Sequence, residues 1–388
     1  MKVLFHVQHL LGIGHVRRAA AIARALTEAG FAVTVAQGGF DVPGTDWGGA
    51  EVVPLPPVRS ADTGFRTLLD AEDRPIDAGW KKRRAAETLA LLARTKPDIL
   101  LVETFPFGRR AFAFELVPML EIARRASPRS LIACSVRDIL VDKKDPAKVE
   151  AMADTALALF DLVLVHGDPT VIPFEASFPP APRVAGLIRY TGYVGAPSTR
   201  EAPPGDGVDE VIVSVGGGAV GAELLRTALA ARALSGQKRT RWRLLAGPDL
   251  PAGAVAELTA AAADGVPPGQ IIVEPARPDF PSLLARCRLS VSQAGYNTVM
   301  DVVRAGCRAV FVPFAAAGET EQTRRADLLA ARGHCLVVPE AGLTPQRLAR
   351  AVDDAMAAPP PPRAALALDG ARTAAALLRD AAERRSAA

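Results

Sequence analysis

The sequence predicts an α/β protein made of two Rossmann-like domains, each with a parallel sheet, that face each other across a cleft. Short, nearly continuous apolar segments alternate with helical segments, as expected for parallel strands covered on both faces. This alternation starts twice, and each series opens with a strand that leads into a glycine-rich loop. The 388 residues are also too many for one ordinary core and suit two domains.

The first series occupies residues 1–191. Its first strand is predicted at 3–7, and after a loop with two glycines a helix runs from about 16 to 29, where Gly30 ends it. Apolar runs bounded by turn residues predict the other strands. These strands lie at 31–36, 51–55, 98–103, 130–135 and 161–166. The polar stretch at 58–75 is too long for a plain connection, which favours a functional loop.

A segment rich in Gly, Pro, Ser and Thr at 192–209 predicts a linker to a second series at 210–358. The strands of this series are predicted at 211–215, 242–245, 271–274, 289–292, 309–312 and 336–338. Its helices are predicted at 222–234, 296–305, 321–332 and 345–357. A proline run then opens a C-terminal segment, 359–388, whose helix at about 364–384 the pattern assigns to neither domain.

Composition limits the classes of function. The formal net charge of +4 is small, and no basic run interleaves with aromatic residues, so no nucleic-acid partner is expected. We call Lys81-Lys82-Arg83-Arg84 the basic cluster. It is typical of a solvated helix start, and its alternative role is contact with an acidic substrate or an anionic lipid surface.

Four cysteines without a CxxC motif indicate reduced thiols. The first residues enter a strand without the features of a signal peptide, and no apolar run is long enough to span a bilayer. We therefore expect a cytoplasmic protein, and the basic cluster leaves peripheral contact with the inner face of the membrane open.

The second series begins with a strand that leads into the loop Gly216-Gly217-Gly218-Ala219-Val220-Gly221. Glycines let backbone N–H groups approach a phosphate at a helix start. The spacing also satisfies GxGxxG, but a dinucleotide site needs an acidic residue about 20 positions further on. Lys238, Arg239 and Arg241 occupy that region. NAD is therefore disfavoured, and an NADP-dependent reductase stays open.

The glycine loop of the first series ends in Gly14 and His15. At a helix N-terminus the dipole lowers the pKa of an imidazole and favours the neutral form that accepts a proton. His15 is therefore either a catalytic base or a residue that caps the helix or contacts an anion.

The most specific stretch of the sequence follows the strand predicted at 289–292. Asn297 and Thr298 offer side-chain donors and free backbone N–H groups at a helix start, which is an anion site. Asp301 lies about one turn further along and is expected to face the same ligand. The pair Glu321-Gln322 begins the helix after the next strand, close to this site in a doubly wound sheet.

Together these motifs resemble glycosyltransferase family 28, the MurG-like enzymes related to the UDP-glycosyltransferases. The shared pattern runs from Gly295-Tyr296-Asn297-Thr298 through an acidic residue and a Val-Pro strand end to Glu321-Gln322. The resemblance is strong from about 211 to 332 and weak between about 60 and 161. It implies the GT-B fold and transfer of a sugar from a nucleoside diphosphate sugar, most of all a UDP-sugar, to an acceptor hydroxyl.

The resemblance also implies roles for individual residues. Asn297 and Thr298 would contact the diphosphate, Asp301 the ribose, and Glu321 and Gln322 the sugar hydroxyls. The full set of expected donor-binding residues is Gly14, Gly217, Gly218, Ala219, Arg277, Gly295, Asn297, Thr298, Asp301, Glu321 and Gln322.

Three positions depart from the family pattern. Asp301 stands where Glu is commoner, which shortens the reach to the ribose, and Gly218 replaces the usual Ser. Arg277 lies in segment 274–280, which frames the base, and is unlike a plain apolar wall. The choice among uridine, thymidine and guanosine therefore stays open.

Inverting transfer needs a base for the acceptor hydroxyl and stabilisation of the leaving diphosphate. His15 is the predicted base. Glu103 ends a strand at the same edge of the sheet and is predicted to orient His15, as in a triad, with a helix cap or surface acid as its alternative role. Helix N-termini, rather than a metal ion, are expected to stabilise the diphosphate, and no cofactor is expected.

Other functions share features of this sequence. They are a nucleotide-sugar epimerase or hydrolase of the same fold, the NADP-dependent reductase that uses Gly216–Gly221, and a non-catalytic nucleotide-sugar-binding protein. The acceptor, whether a small molecule, a glycan or lipid-linked, is not identified by any familiar pattern. An aromatic set in the first series is expected to pack in the core rather than to form an acceptor wall. Its members are Phe105, Phe107, Phe112 and Phe114.

Overall fold

The computed structural model describes residues 1–10, 14–61, 67–140, 145–195, 200–215, 221–247, 250–264, 266–315, 320–362 and 367–386. Contacts divide the chain into two units. The first unit takes in Met1–Ala196 and Leu366–Ala388, and the second takes in Pro197–Ala365. Each unit contains one large parallel sheet, as the alternation of apolar and helical segments predicts.

Nine strands are described in the first unit. They are β1 (Lys2–Val7), β2 (Ala32–Gln37), β3 (Glu51–Pro54), β4 (Arg59–Ser60), β5 (Leu68–Leu69), β6 (Ile99–Glu103), β7 (Leu131–Arg137), β8 (Leu162–His166) and β9 (Ile188–Tyr190). Seven of them form a parallel sheet in the order β3-β2-β1-β6-β7-β8-β9, and β4 and β5 pair separately. The direction of winding therefore reverses between β1 and β6.

The helices of this unit cover both faces of the sheet. Four of them are α1 (Gly14–Glu28), α2 (Ala78–Thr95), α3 (Ala113–Arg125) and α4 (Pro146–Leu159). Alternate residues of β6 enter different cores: Leu100 and Val102 join one, and Ile99 and Leu101 join the other. The first of these cores also contains Phe105, Phe107 and Phe112, which confirms that these rings pack inside the unit.

The second unit repeats this architecture with six strands. They are β10 (Val211–Ser214), β11 (Trp242–Ala246), β12 (Ile271–Pro275), β13 (Leu289–Ser292), β14 (Ala309–Phe311) and β15 (Leu336–Val337). Its helices are α5 (Ala222–Leu234), α6 (Ala252–Ala263), α7 (Phe280–Arg286), α8 (Tyr296–Ala305), α9 (Glu321–Ala330) and α10 (Pro345–Ala357). The sheet order β12-β11-β10-β13-β14-β15 places the reversal between β10 and β13.

The helix that follows the proline run, α11 (Gly370–Ser386), belongs to the first unit. It contacts α1 and β7, and its Ala374 and Leu378 are fully buried in the core. Arg379 donates a hydrogen bond to the carbonyl of Ala29 and lies over the ring of Phe31, 5.1 Å from its centroid. The first unit is therefore assembled from both ends of the described chain.

One side chain of the basic cluster is not solvated. Arg84 is completely buried and forms two hydrogen bonds with the carboxylate of Glu115, at 2.9 and 3.1 Å. It also donates to Oε1 of Gln8 at 2.7 Å. Lys82 and Arg83 are the exposed members. The expectation of a fully solvated cluster is therefore wrong at Arg84, whose charge a buried acid neutralises.

Two further features bear on function class. All four cysteines are free thiols, two of them buried and two partly buried. Among the helices that the structure describes, none combines the length and the apolar character needed to cross a membrane.

Candidate active site

The carboxyl ends of β1 and β6 meet where the first sheet reverses its winding. Ligands of doubly wound sheets bind at this place. Gly14 is the first residue of α1, His15 follows it, and Glu103 is the last residue of β6. Strand order alone therefore brings His15 and Glu103 to one edge of the sheet.

The two side chains are in direct contact. Nδ1 of His15 lies 2.7 Å from Oε1 of Glu103, whose side chain is fully buried. The carboxylate can only accept this hydrogen bond, so Nδ1 carries the proton and Nε2 has the free lone pair. The His15 side chain is 17% exposed, which leaves the imidazole open to a ligand on one side.

Arg18 completes this group, and it is not among the residues predicted from the sequence. Its Nη2 donates to the same Oε1 of Glu103 and lies 3.3 Å from Nδ1 of His15. Arg18 is 4% exposed and stands three residues after His15 on α1. That spacing puts both side chains on one helix face and was the available signal.

Burial and charge set the protonation state of this group. Burial lowers the pKa of His15 to about 4; Arg18 and Arg109 act in the same direction, and Glu103 opposes them. Burial alone would raise the pKa of Glu103, but His15, Arg18 and Arg109 hold it well below its usual range. A neutral imidazole on an ionised carboxylate is therefore the resting state at neutral pH.

The backbone after β6 is strained. Thr104 and Arg109 have φ values of 69° and 56°, in the left-handed region that side chains other than glycine rarely adopt. Nε of Arg109 donates to the carbonyl of Gln8 at 2.9 Å, which fastens this loop to the residue after β1. Strain of this kind is concentrated at functional sites, and here it borders the carboxylate of Glu103.

In the second unit, the corresponding place lies after β10 and β13. The loop residues Gly217, Gly218 and Ala219 lie outside the described residues. After β13, Gly295 occupies the N-cap of α8, and as a glycine it has no side chain with which to cap the helix. Because the first helical bond runs from the N–H of Val299 to the carbonyl of Gly295, the N–H groups of Asn297 and Thr298 precede the helical ladder.

Asn297 and Thr298 are partly buried, and so is Asp301, one helical turn further along α8.

Arg325 ties the start of α9 to the start of α8, and it is a second residue that sequence analysis did not identify. Its fully buried guanidinium donates to Oε1 of Glu321 at 2.8 Å and to the carbonyl of Ala294 at 3.4 Å. It also lies over the ring of Tyr296, 5.3 Å from the centroid. The expected ligands on α9 and α8 are thereby brought together.

Gln322 has one half of its amide engaged. Its Oε1 accepts a hydrogen bond from the N–H of Phe314 at 3.1 Å, in the segment that follows β14. This bond fixes the orientation of the side chain and leaves the amide NH₂ as a donor.

Arg277 is held by carboxylates of the protein. It donates to Asp279 through Nε at 2.9 Å and to Asp206 and Glu274 through Nη1 at 2.6 and 3.2 Å. The hydrogen bonds to Asp279 are the main cause that raises the pKa of Arg277 above its usual value. Arg277 therefore fastens the segment after β12 to the segment before β10.

These groups define the available chemistry. The first unit offers a neutral imidazole with a free proton-accepting nitrogen. The second offers a helix start whose N-cap is a glycine, and the N–H groups of such a helix start attract anions. Within the part of the chain that the structure describes, no three His, Cys, Asp or Glu side chains are grouped so that they could hold a metal ion.

Comparison with known proteins identifies the family. The model of the glycosyltransferase family 28 C-terminal domain matches residues 212–378. A protein of Rhodospirillum centenum, UDP-N-acetylglucosamine–N-acetylmuramyl-(pentapeptide) pyrophosphoryl-undecaprenol N-acetylglucosamine transferase, is 29% identical over 381 residues. The match covers 96% of this chain and 89% of that protein. The chain is a MurG-like glycosyltransferase of family 28.

A further relative of this glycosyltransferase carries the same protein name in Paraburkholderia xenovorans. It is 30% identical over 275 residues, which cover 69% of this chain and 64% of that protein.

Solved structures establish the fold class. MurG from Acinetobacter baumannii superposes with a TM-score of 0.63 at 17% identity and covers 98% of the family 28 chain and 99% of its own. The calicheamicin glycosyltransferase CalG4 gives a TM-score of 0.61 at 17% identity, with 100% and 97% covered. These likenesses confirm the predicted α/β class of GT-B type, with two parallel-sheet domains.

Proposed function

We propose that this enzyme transfers a sugar, with inversion, from UDP-N-acetylglucosamine or a related UDP-sugar to a hydroxyl of a lipid-linked acceptor, with His15 as base. The names of the two relatives support the choice of donor and acceptor class. The contact between Nδ1 of His15 and Oε1 of Glu103 is the observation that carries the assignment of the base.

The proposed step is a single displacement. The acceptor hydroxyl donates its hydrogen bond to Nε2 of His15, and its oxygen attacks the anomeric carbon from the side opposite the diphosphate. The proton passes to Nε2 as the new C–O bond forms, and Glu103 stabilises the imidazolium. The bond between the sugar and the diphosphate breaks, and its electron pair leaves with UDP. Attack from the opposite side inverts the anomeric configuration.

The second unit is proposed to bind the donor. The N–H groups at the start of α8, with the side chains of Asn297 and Thr298, would bind the diphosphate and stabilise its growing charge without a metal ion. Asp301 would bind the ribose. The buried carboxylate of Glu321 and the free NH₂ of Gln322 would bind sugar hydroxyls.

The remaining donor contacts are assigned to the glycine loops and to segment 274–280. Gly295 ends the loop before α8, and Gly14 begins α1. Arg277 is proposed to shape the wall beside the nucleobase of the donor through its ion pairs with three carboxylates. Gly217, Gly218 and Ala219 are proposed to line the phosphates.

A lipid-linked acceptor requires access to a membrane surface. Lys82 and Arg83 are exposed near the start of α2, and they are proposed to contact the anionic inner face of the membrane peripherally.

The test is turnover of a His15→Ala variant with UDP-N-acetylglucosamine and a lipid-linked acceptor. Loss of the base is expected to lower kcat by about 10²–10⁴-fold. UDP should still raise the melting temperature of the variant as it does for the wild type, because donor binding is assigned to other residues. His334→Gln, in the second unit, is the matched histidine control and should retain its turnover.

Wild-type turnover in His15→Ala would overturn the assignment of the base. Product analysis tests the reaction class. If the products were free sugar or an epimer, with no transfer to the acceptor, the enzyme would be a hydrolase or an epimerase rather than a transferase.

A further inference from the structure

We propose that Arg18 is the positioning residue of the catalytic base, a role that rests on the proposed function: its guanidinium binds the carboxylate oxygen that orients the His15 imidazole. Arg18 reaches no reacting atom in this scheme. It acts through Glu103.

The contacts converge on a single oxygen. Nδ1 of His15 and Nη2 of Arg18 both lie on Oε1 of Glu103, whereas Oε2, also buried, accepts no hydrogen bond within the described residues. A carboxylate held only by the imidazole could rotate about its last bond and carry the ring with it. The second donor on the same oxygen fixes the carboxylate.

The two donors come from one rigid element. His15 and Arg18 lie three residues apart on α1, and Glu103 lies at the end of β6, so one helix supplies both donors to Oε1 of Glu103. Arg18 is 4% exposed, and its aliphatic part packs inside the unit. Its guanidinium therefore has little freedom to leave Glu103.

Charge gives Arg18 a second effect on the base. The charged groups that act on His15 are Glu103 on β6, Arg18 on its own helix and Arg109 in the loop after β6. Glu103 raises the pKa of His15, and both arginines lower it. Burial is the largest cause of the lowered pKa of His15, and Arg18 adds to it by offsetting part of the rise that Glu103 causes. Glu103 can therefore orient an imidazole that stays neutral until the acceptor binds.

This effect separates positioning from simple packing. Removing the charge of Arg18 should let the His15–Glu103 pair take up a proton at a pH about 1–2 units higher than in the wild type. A residue that only fills space would change the stability of the first unit and leave this titration where it was.

The experiment compares Arg18→Met, Arg18→Lys and Arg17→Met with the wild type. Arg17 neighbours Arg18 on α1 but is exposed, so Arg17→Met removes the same charge outside the group. The protein has five histidines, and His15→Gln identifies the His15 imidazole signal by its disappearance from the NMR spectrum. Titration of that signal and the dependence of kcat/KM on pH, both from pH 4 to 8, are then measured.

In Arg18→Met we expect the titration and the acidic limb of kcat/KM to move up by about 1–2 pH units, with kcat at pH 7.5 lowered about tenfold or more and the donor KM within twofold. Arg18→Lys should keep the wild-type limb because it keeps the charge, and it should lose at least about threefold in kcat because its ammonium ends one bond short of the position of Nη2 and holds Oε1 less well. Arg17→Met should match the wild type.

An unmoved titration in folded Arg18→Met overturns the proposal. If circular dichroism shows that Arg18→Met does not fold, Arg18→Lys decides alone, and wild-type kcat in that variant overturns the proposal. Full turnover in His15→Gln would instead remove the proposed base itself. Loss of turnover in His15→Gln with an unmoved Arg18→Met leaves the proposed function standing and removes only the role of Arg18.

Discussion

Replacing Glu103 by Gln tests how much the carboxylate contributes to the base. The amide keeps the shape of the side chain, and its oxygen can still accept from Nδ1 of His15 and from Arg18. The NH₂ then takes the place of Oε2, which has no described partner. The variant therefore removes the negative charge and preserves the contact.

The size of the effect follows from the 2.7 Å contact between Nδ1 and Oε1. An opposite charge within about 4–6 Å shifts a pKa by about 1–3 units, and each unit is worth about 1.4 kcal/mol. Losing the carboxylate should therefore remove about 1.4–4 kcal/mol of imidazolium stabilisation. With proton transfer well advanced in the transition state, kcat falls by about 10–10³-fold.

The assay is steady-state transfer with saturating donor and acceptor, with UDP-induced thermal stabilisation as the measure of donor binding. Glu103→Gln should lower kcat and leave the stabilisation by UDP unchanged. Glu115→Gln is the matched control, since this buried carboxylate pairs with Arg84 away from His15 and its loss should change stability rather than kcat. A kcat of Glu103→Gln within twofold of the wild type would refute this reasoning.

Three further predictions concern stability and donor binding. Between pH 6.5 and 4 the unfolded chain protonates His15 and His166 while burial keeps both neutral in the fold, with pKa values of about 4 and 3. Stability by urea denaturation should therefore fall with acidification, by up to about 1.4 kcal/mol per pH unit for each histidine, and a flat profile would contradict this. Arg84→Met should lower the free energy of unfolding by about 3–5 kcal/mol in the same assay, because it leaves the Glu115 carboxylate buried without its cation. Adding Glu115→Leu should recover part of that loss. A double variant no more stable than Arg84→Met would contradict this explanation. Gln322→Leu should raise the donor KM about tenfold through one lost hydrogen bond to a sugar hydroxyl, and an unchanged KM in initial-rate measurements would remove Gln322 from the donor site.

The fold could be predicted because its signal is local. Strands such as β6 and β13 are short apolar runs bounded by turn residues. The point at which each sheet reverses its winding depends on the spatial order of the strands, which only the structure shows. The pattern does not predict β9, which has three residues and no fully buried position, or the β4–β5 pair inside a polar stretch. These elements depend on their neighbours rather than on their own sequence.

The candidate site could be predicted only in part. His15 and Glu103 were within reach because both lie at strand or helix ends that the topology brings together. Arg18 and Arg325 were not predicted, because the contacts that give them a role cross between distant segments, and buried arginines look like surface ones in the sequence. Arg84 is a further buried arginine that the sequence does not distinguish from an exposed one, because only the fold shows its ion pair with Glu115.

The position of α11 has a consequence for biogenesis. Through Ala374 and Leu378, α11 completes a core whose members outside this helix lie between residues 3 and 194, so the first unit lacks one side of this core until residues 370–386 have been translated. A nascent chain must keep the matching surface of α1 shielded while the whole second unit emerges from the ribosome. Expression of the first 196 residues alone is therefore expected to yield an aggregation-prone fragment, and supplying residues 366–388 as a separate peptide should rescue its solubility.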